Sequence, residues 1–293
     1  MEFRVLGPLE VKSGRGDVLI QSAQLRRLLA ILLVHAGIVV STDRLTDELW
    51  DGQPPRGAAQ SLWTCVARLR RVLADTPDGP VLVTRPPGYL LQVEPDEIDA
   101  ARFERLVVEA CRLPSDRAQS AVDMLTRGLA LWRGPAFAEF VDAAFASGEA
   151  ARLEELRLTA YERRFEAELG LGRHTELIAD LQSFIAAHPL REAPRAQLML
   201  ALYRSGRHAE ALAAYQAYQS LLRTELGLEP SALMRTRQAQ MLRQAVDLDW
   251  TPQRSPGAEI ANQPDGSPDR PVACLAAQRK PGRIVSASSS RSS

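Results

Sequence analysis

The chain has 293 residues, enough for two domains, and its 45% hydrophobic and 25% charged residues exclude a protein that is disordered throughout. The formal net charge is zero, which argues against a polybasic coat. Residues 1–93 nevertheless carry 11 cationic and 9 anionic side chains, whereas residues 94–250 carry 19 and 24. A mildly basic first part joined to an acidic body suits a nucleic-acid-binding domain attached to a protein-contacting domain.

The cysteines and the apolar segments bear on the compartment in which the protein works. Cys65, Cys111 and Cys274 lie far apart, without the spacing of a zinc site or of a disulfide framework, so we expect reduced thiols. The N-terminus does not read as a signal peptide, and the longest apolar run, residues 28–34, is too short to span a bilayer. We therefore expect a cytoplasmic protein without a membrane partner.

The first part of the chain predicts a small sheet followed by helices. In chain order the predicted elements are strands at residues 3–11, broken by Gly7-Pro8, and 17–20, then helices at residues 22–35 and 43–50. Ser22 is the expected N-cap of the first helix, and Ser41 or Thr42 that of the second. Gly37 is expected to end the first helix.

A third predicted helix, residues 56–75, has one apolar face and one polar face. At about 100° per residue, Leu62, Val66, Leu69 and Leu73 fall on one line and form a core face. The opposite face carries Gln60, Thr64, Ala67, Arg68 and Arg71, with Trp63 and Arg70 on its flanks. Amide, hydroxyl and guanidinium groups on one face match base edges and phosphates in a major groove.

A predicted β-hairpin follows this helix. Residues 81–84 and 89–93 have strand patterns, and Arg85-Pro-Pro-Gly88 between them predicts a turn. The hairpin is placed like the wing of a winged helix. For the helix alone, a solvated surface helix is the more common interpretation; the hairpin and the preceding helices favour a DNA-binding domain over residues 1–94.

The remainder divides into a helical part and a tail. Beyond an acidic connector, Gly172-Arg-His174 recurs as Gly206-Arg-His208 at a spacing of 34 residues, with a similar amphipathic helix after each copy. This period is typical of tetratricopeptide-like helix pairs and predicts an α-solenoid domain over residues 95–250. His174 and His208 are expected to be structural, at solvated helix starts. Residues 251–293 contain six prolines and eight serines and predict a disordered tail.

Several segments in both halves resemble a known family. They are residues 3–11, Leu28-Leu-Ala-Ile-Leu-Leu33, Val40-Ser-Thr-Asp-Arg-Leu45, Glu48-Leu-Trp50, Val66-Ala-Arg-Leu-Arg-Arg-Val-Leu73, Thr84-Arg-Pro-Pro-Gly-Tyr89, Leu131-Trp-Arg-Gly-Pro135, His188-Pro-Leu-Arg-Glu192, Ala201-Leu-Tyr-Arg-Ser-Gly-Arg207 and Glu225-Leu-Gly-Leu-Glu-Pro230. Over residues 1–250 the chain is similar to the streptomycete antibiotic regulatory protein (SARP) family of transcriptional activators.

The resemblance implies a fold and a set of partners. The implied fold is mainly α with a small β component: an OmpR-type winged helix-turn-helix, then a bacterial transcriptional activation domain built of tetratricopeptide-like helices. The implied activity is binding to direct repeats in promoters of secondary-metabolite genes, usually as a homodimer, with recruitment of the RNA polymerase holoenzyme. No cofactor and no metal is implied.

The resemblance also assigns residues to double-stranded DNA. They are Gln60, Trp63, Thr64, Arg68, Arg70, Arg71 and Arg85. By similarity to OmpR-type domains, Arg68 is expected to contact a base, whereas Arg70 and Gln60 are expected to contact phosphates. Arg85 occupies the wing position that enters a minor groove. Trp63 packs either on a sugar or thymine methyl group, or only against the wing.

An enzyme and a protein-interaction scaffold are the two other classes of protein to weigh against a transcriptional activator. An enzyme needs a catalytic constellation, but the four histidines are scattered and the sequence shows no nucleophile elbow, paired metal ligands or glycine-rich phosphate cradle. It also shows no phosphate loop after the helical part and no receiver domain before the winged helix. A scaffold that uses both domains only for protein contacts is the alternative function.

Overall fold

The computed structural model describes residues 1–74 and 81–251. These residues form a mostly helical structure with two small three-stranded antiparallel sheets, which confirms the predicted fold class. The predicted tail lies outside the described residues except for its first residue, and Cys274 lies outside them as well.

The first sheet consists of β1 (Glu2–Arg4), β2 (Glu10–Ser13) and β3 (Gly16–Asp17). Phe3 pairs with Val11, and both side chains are buried. The predicted strand over residues 17–20 is shorter than expected. The amide of Val18 still donates to the Val11 carbonyl at 2.8 Å, but the chain then leaves the sheet towards the first helix.

Three helices follow: α1 (Ala23–Val34), α2 (Thr42–Leu49) and α3 (Ala58–Val72). Ser41 is the N-cap of α2, since its hydroxyl accepts a hydrogen bond from the Arg44 amide at 3.2 Å. The predicted start of α3 at residue 56 was wrong. Gly57 adopts a left-handed φ of 80°, and the Ala58 amide donates to the Pro55 carbonyl, so the chain turns before the helix begins.

The second sheet holds the wing. It contains β4 (Val39–Ser41), β5 (Leu82–Arg85) and β6 (Gly88–Leu91), with β6 in the middle. The hairpin of β5 and β6 was predicted, but β4 was not, because a three-residue strand shows no readable period. A Cβ on Gly88 would lie 1.8 Å from the Val40 carbonyl oxygen, so only glycine lets β4 approach β6 this closely.

The second half is helical. Its helices are α4 (Asp99–Arg112), α5 (Ala118–Leu129), α6 (Ala144–Gly170), α7 (His174–Ala187), α8 (Glu192–Arg204), α9 (His208–Leu226) and α10 (Ala232–Leu242). Consecutive helices pack against each other, as the helix-pair repeat predicts. The 27-residue helix α6 packs against α4 and α5 and also against α7 and α8.

The 34-residue repeat produces the same turn twice. Gly172 and Gly206 both have left-handed φ values, 83° and 76°, and lie two residues before the first residue of α7 and of α9, respectively. The two histidines that follow differ, however. His208 is exposed as expected, but His174 is only 8% exposed because the Trp250 ring packs against it, 5.8 Å between centroids. The expectation of a solvated position was therefore wrong for His174.

The buried side chains form two clusters. The first runs from Phe3 to Ala160 and contains side chains of the winged-helix part and of α4, α5 and α6. The second runs from Phe165 to Leu248. The winged-helix part thus shares one core with the first helices of the helical half. In the described ranges, no helix has both the length and the apolar character required to cross a membrane.

Candidate nucleic-acid interface

Helix α3 presents the predicted polar face. Its predicted core residues Leu62, Val66, Leu69 and Leu73 are all buried. Of the residues predicted on the opposite face, Gln60, Arg68 and Arg71 are exposed, while Thr64 and Ala67 are half-buried. One side of α3 is therefore fixed in the core, and the other offers an amide and two guanidinium groups to solvent.

The flank of this face includes an aromatic side chain. Trp63 is 59% exposed, which is high for a tryptophan, and it is available for contact with a sugar or a thymine methyl group. Thr64 lies beside it, and its hydroxyl donates to the Gln60 carbonyl at 2.9 Å. Cys65 is buried, and burial raises the pKa of its thiol, which suits a packed side chain rather than a reactive thiolate.

Arg70 connects α3 to the wing. Its Nε donates to the Leu82 carbonyl at 2.8 Å, and its Nη2 donates to the Thr84 hydroxyl at 2.7 Å. Its guanidinium carbon also lies 5.7 Å from the centroid of the Tyr89 ring. Arg70 therefore holds β5 and β6 against the helix, an anchoring role that the sequence interpretation missed. Its expected phosphate contact stays a prediction.

Arg85 is the last residue of β5 and is exposed at the tip of the wing. The tip itself is fixed to the start of α2. The amide and the hydroxyl of Thr42 both donate to the Pro87 carbonyl, at 3.2 and 3.1 Å. The wing is thus held at the tip by α2 and along β5 by Arg70. The structure places all seven predicted DNA residues on α3 or on this hairpin.

A buried carboxylate joins the winged-helix part to the helical half. Asp99, the first residue of α4, accepts hydrogen bonds from the amides of Val5 at 2.8 Å and Leu6 at 3.2 Å. Burial raises the pKa of Asp99, although the two amides and the nearby Arg133 act in the opposite direction. The same segment also accepts hydrogen bonds from the helical half. The Arg133 amide donates to the Leu6 carbonyl and the Phe137 amide donates to the Val5 carbonyl, both at 2.7 Å.

A second carboxylate joins α1 to the helical half. Glu139 accepts a hydrogen bond from the Leu9 amide at 2.8 Å and one from the Arg26 Nε at 2.7 Å. Its pKa is lowered, chiefly because the Arg26 guanidinium stabilises the ionised carboxylate. Neither Asp99 nor Glu139 carried a signal in the sequence, since their partners are backbone amides about 90 to 130 positions away.

Two family models match the chain. One, described as the C-terminal part of transcriptional regulatory proteins, matches residues 16–91, which span β3 to β6. The other, described as the bacterial transcriptional activator domain, matches residues 98–242, which span α4 to α10. Together they cover both the candidate interface and the helical half.

Two relatives and a solved structure are similar to the chain over most of its length. The chain is 39% identical over 249 residues to the transcriptional regulator RedD of Streptomyces coelicolor, covering 83% of this chain and 71% of RedD. It is 39% identical over 274 residues to the regulatory protein DnrI of Streptomyces peucetius, covering 88% of this chain and 98% of DnrI. The structure of Mycobacterium tuberculosis EmbR in complex with a low-affinity phosphopeptide superposes with a TM-score of 0.79 at 32% identity, covering 83% of this chain and 65% of that one.

The fold, the matching models and these relatives define a DNA-binding transcriptional regulator that carries an OmpR-type winged helix and a helical activator domain. Such proteins are regulators of transcription and not enzymes. The chain belongs to the streptomycete antibiotic regulatory protein family and is a transcriptional activator of that type.

Proposed function

We propose that this protein activates antibiotic biosynthetic genes by binding direct repeats in their promoters as a homodimer and recruiting RNA polymerase. The observation that carries the proposal is the exposed face of α3, with Gln60, Arg68 and Arg71, next to a wing held in place by Arg70. The proposed site of action is the cytoplasm, at the nucleoid.

The proposed division of roles follows from exposure. Arg68 is free to reach into the major groove, where a guanidinium donates two hydrogen bonds to O6 and N7 of guanine. Gln60 and Arg71 are exposed on the same face and can contact phosphates or neighbouring bases. Arg85 at the wing tip is suited to the adjacent minor groove, where groove width and phosphate charge matter more than base identity.

The two halves, which share a buried core, are proposed to have separate roles, residues 1–94 in DNA binding and residues 95–250 in activation. The acidic helical half would supply the surface for RNA polymerase and for a second copy of the chain. Two copies on direct repeats gain affinity through effective concentration, and a head-to-tail arrangement does not require a two-fold symmetric contact.

The test of base reading is Arg68→Ala in a mobility-shift titration of the full chain against its promoter region. We expect a loss of about 1–3 kcal/mol on the specific site and weaker discrimination at one base pair. The matched control is Arg112→Ala, an exposed arginine at the end of α4, which should change affinity little. Equal losses on specific and random DNA would refute the base contact of Arg68.

The wing is tested with Arg85→Ala in the same titration. We expect binding to weaken on all sequences alike, because phosphate and groove-width contacts carry little base information. A loss confined to one base position would contradict this role.

The salt dependence of DNA binding separates the activator from the scaffold. For a protein that neutralises Z phosphates, the logarithm of the binding constant falls with the logarithm of the salt concentration with a slope of about −0.9Z, whereas a scaffold shows no such binding.

A further inference from the structure

We propose that a cleft at the end of the helical half binds a small organic anion with a planar apolar group. The cleft has a volume of about 610 Å³, the size of a small-molecule site. It lies in the part of the molecule built on the second buried cluster, between the two repeat turns and the last described residues. Its lining includes His174, Tyr203, Arg204, His208, Asp249 and Trp250.

His174 is the strongest indication of a ligand. Its side chain is 8% exposed, and among the described residues neither ring nitrogen has a hydrogen-bond partner. A buried polar group without a partner costs stability, and nearly all such groups in proteins are satisfied. Both ring nitrogens are covered in the structure, so a ligand seated in the cleft would reach them only after a small movement of the imidazole or of the Trp250 ring that packs on it.

The charge around the cleft favours an anion. Arg204 donates from Nε to the Leu248 carbonyl at 2.7 Å, and the described residues provide no hydrogen bond or ion pair for its two terminal nitrogens. Burial, and then the neighbouring Arg237 cation, lower the pKa of the Arg204 guanidinium. A negative charge in the cleft would stabilise both cations. Asp249 is the one carboxylate among the lining residues and offsets part of this charge.

Two helix N-termini point to the same sign of charge. Helices α7 and α9 begin at His174 and His208, both of which line the cleft. Their N-cap residues are Arg173 and Arg207, whose side chains cannot accept hydrogen bonds from the first-turn amides. Uncapped amides and the positive end of the helix dipole together attract anions.

The aromatic rings of the cleft indicate that the ligand carries a flat apolar group. Tyr203 and His208 stack with 4.4 Å between ring centroids and 18° between ring planes. The Trp250 ring stands edge-on to His174 and is fixed by a hydrogen bond from Nε1 to the Gly170 carbonyl at 3.0 Å. These rings suit a flat apolar group. A metal ion does not fit, since the described residues contain no group of three His, Cys, Asp or Glu that could hold one.

The test is isothermal titration of the full chain with benzoate, phenyl phosphate, inorganic phosphate and benzylammonium. We expect the two aromatic anions to bind, inorganic phosphate to bind more weakly and benzylammonium not to bind. Arg204→Gln should weaken aromatic-anion binding about tenfold, the scale of a lost charge-assisted hydrogen bond. Asp249→Asn should strengthen it. Arg223→Gln, on the exposed surface of α9, is the matched control and should leave it unchanged.

Amide NMR of the wild-type chain tests ligand binding without a substitution, which matters because Arg204→Gln also removes the hydrogen bond to the Leu248 carbonyl. Saturation with benzoate should shift the first-turn amides of α7 and α9, beginning at His174 and His208. Absence of both heat and shifts with benzoate and phenyl phosphate would overturn the proposal. Equal binding of benzylammonium would refute the preference for an anion. Equal binding of inorganic phosphate and phenyl phosphate would refute the contact with a planar apolar group.

Discussion

Replacing Asp99 with alanine tests how the DNA-binding part is joined to the helical half. In the structure, the Asp99 carboxylate accepts the Val5 and Leu6 amides at 2.8 and 3.2 Å in a buried position. Alanine leaves both amides without these partners. A buried donor left unsatisfied costs about 1–3 kcal/mol, so the two together cost about 2–6 kcal/mol.

Part of that cost is offset in the variant. Burial raises the pKa of Asp99, which means that the ionised carboxylate is itself held at a cost in the folded protein. Removing it recovers some free energy, so the expected net loss in free energy of unfolding is about 2–4 kcal/mol. Asp96→Ala is the matched control, because it removes only an exposed ion pair with Arg105, and exposed ion pairs contribute little to stability.

Urea unfolding followed by circular dichroism measures both variants. A loss for Asp99→Ala no larger than that for Asp96→Ala would refute the assignment of Asp99 as the link between the halves. The pH dependence gives a second criterion. The pKa of Asp99 is raised in the folded protein. Its contribution to the free energy of unfolding is therefore fully present below the ordinary pKa of 3.8 and is lost as the pH rises through the folded pKa. The difference between wild type and Asp99→Asn should therefore shrink from acid to neutral pH.

Two further predictions concern the wing and the first sheet. Arg70→Met should weaken DNA binding in mobility shifts, because the wing is loosened, and should lower the free energy of unfolding in urea by about 1–3 kcal/mol. Arg71→Met is the control and should leave the free energy of unfolding unchanged. Equal stability of the two variants would contradict the anchoring role of Arg70. Glu2 has a pKa lowered from 4.5 to about 2, chiefly by its hydrogen bond from Arg4 and also by Arg102, so its stabilising effect is present above pH 4.5 and is lost as the pH falls to about 2. The difference in melting temperature between wild type and Glu2→Gln should follow that window, and a difference independent of pH would count against the ion pairs.

Local sequence patterns determined most of the secondary structure and the face of α3. Helix periodicity separated Leu62, Val66 and Leu69 from the exposed arginines because one residue every 100° fixes which side chains share a face. The 34-residue spacing and the similar helix after each copy predicted the solenoid, and in the structure Gly172 and Gly206 both adopt a left-handed φ at the turn before each helix. These features depend on near neighbours in the chain.

The remaining features depended on residues that only the folded chain brings together. Nothing near Arg70 in sequence indicated that it would bind β5, and nothing near Asp99 indicated that it would accept amides from the first ten residues. His174 and His208 have the same local sequence, yet one is buried because a tryptophan 76 positions later packs on it and the other is not. Local patterns specify a side chain's direction on its own element, whereas its partner is decided by packing between elements distant in the chain.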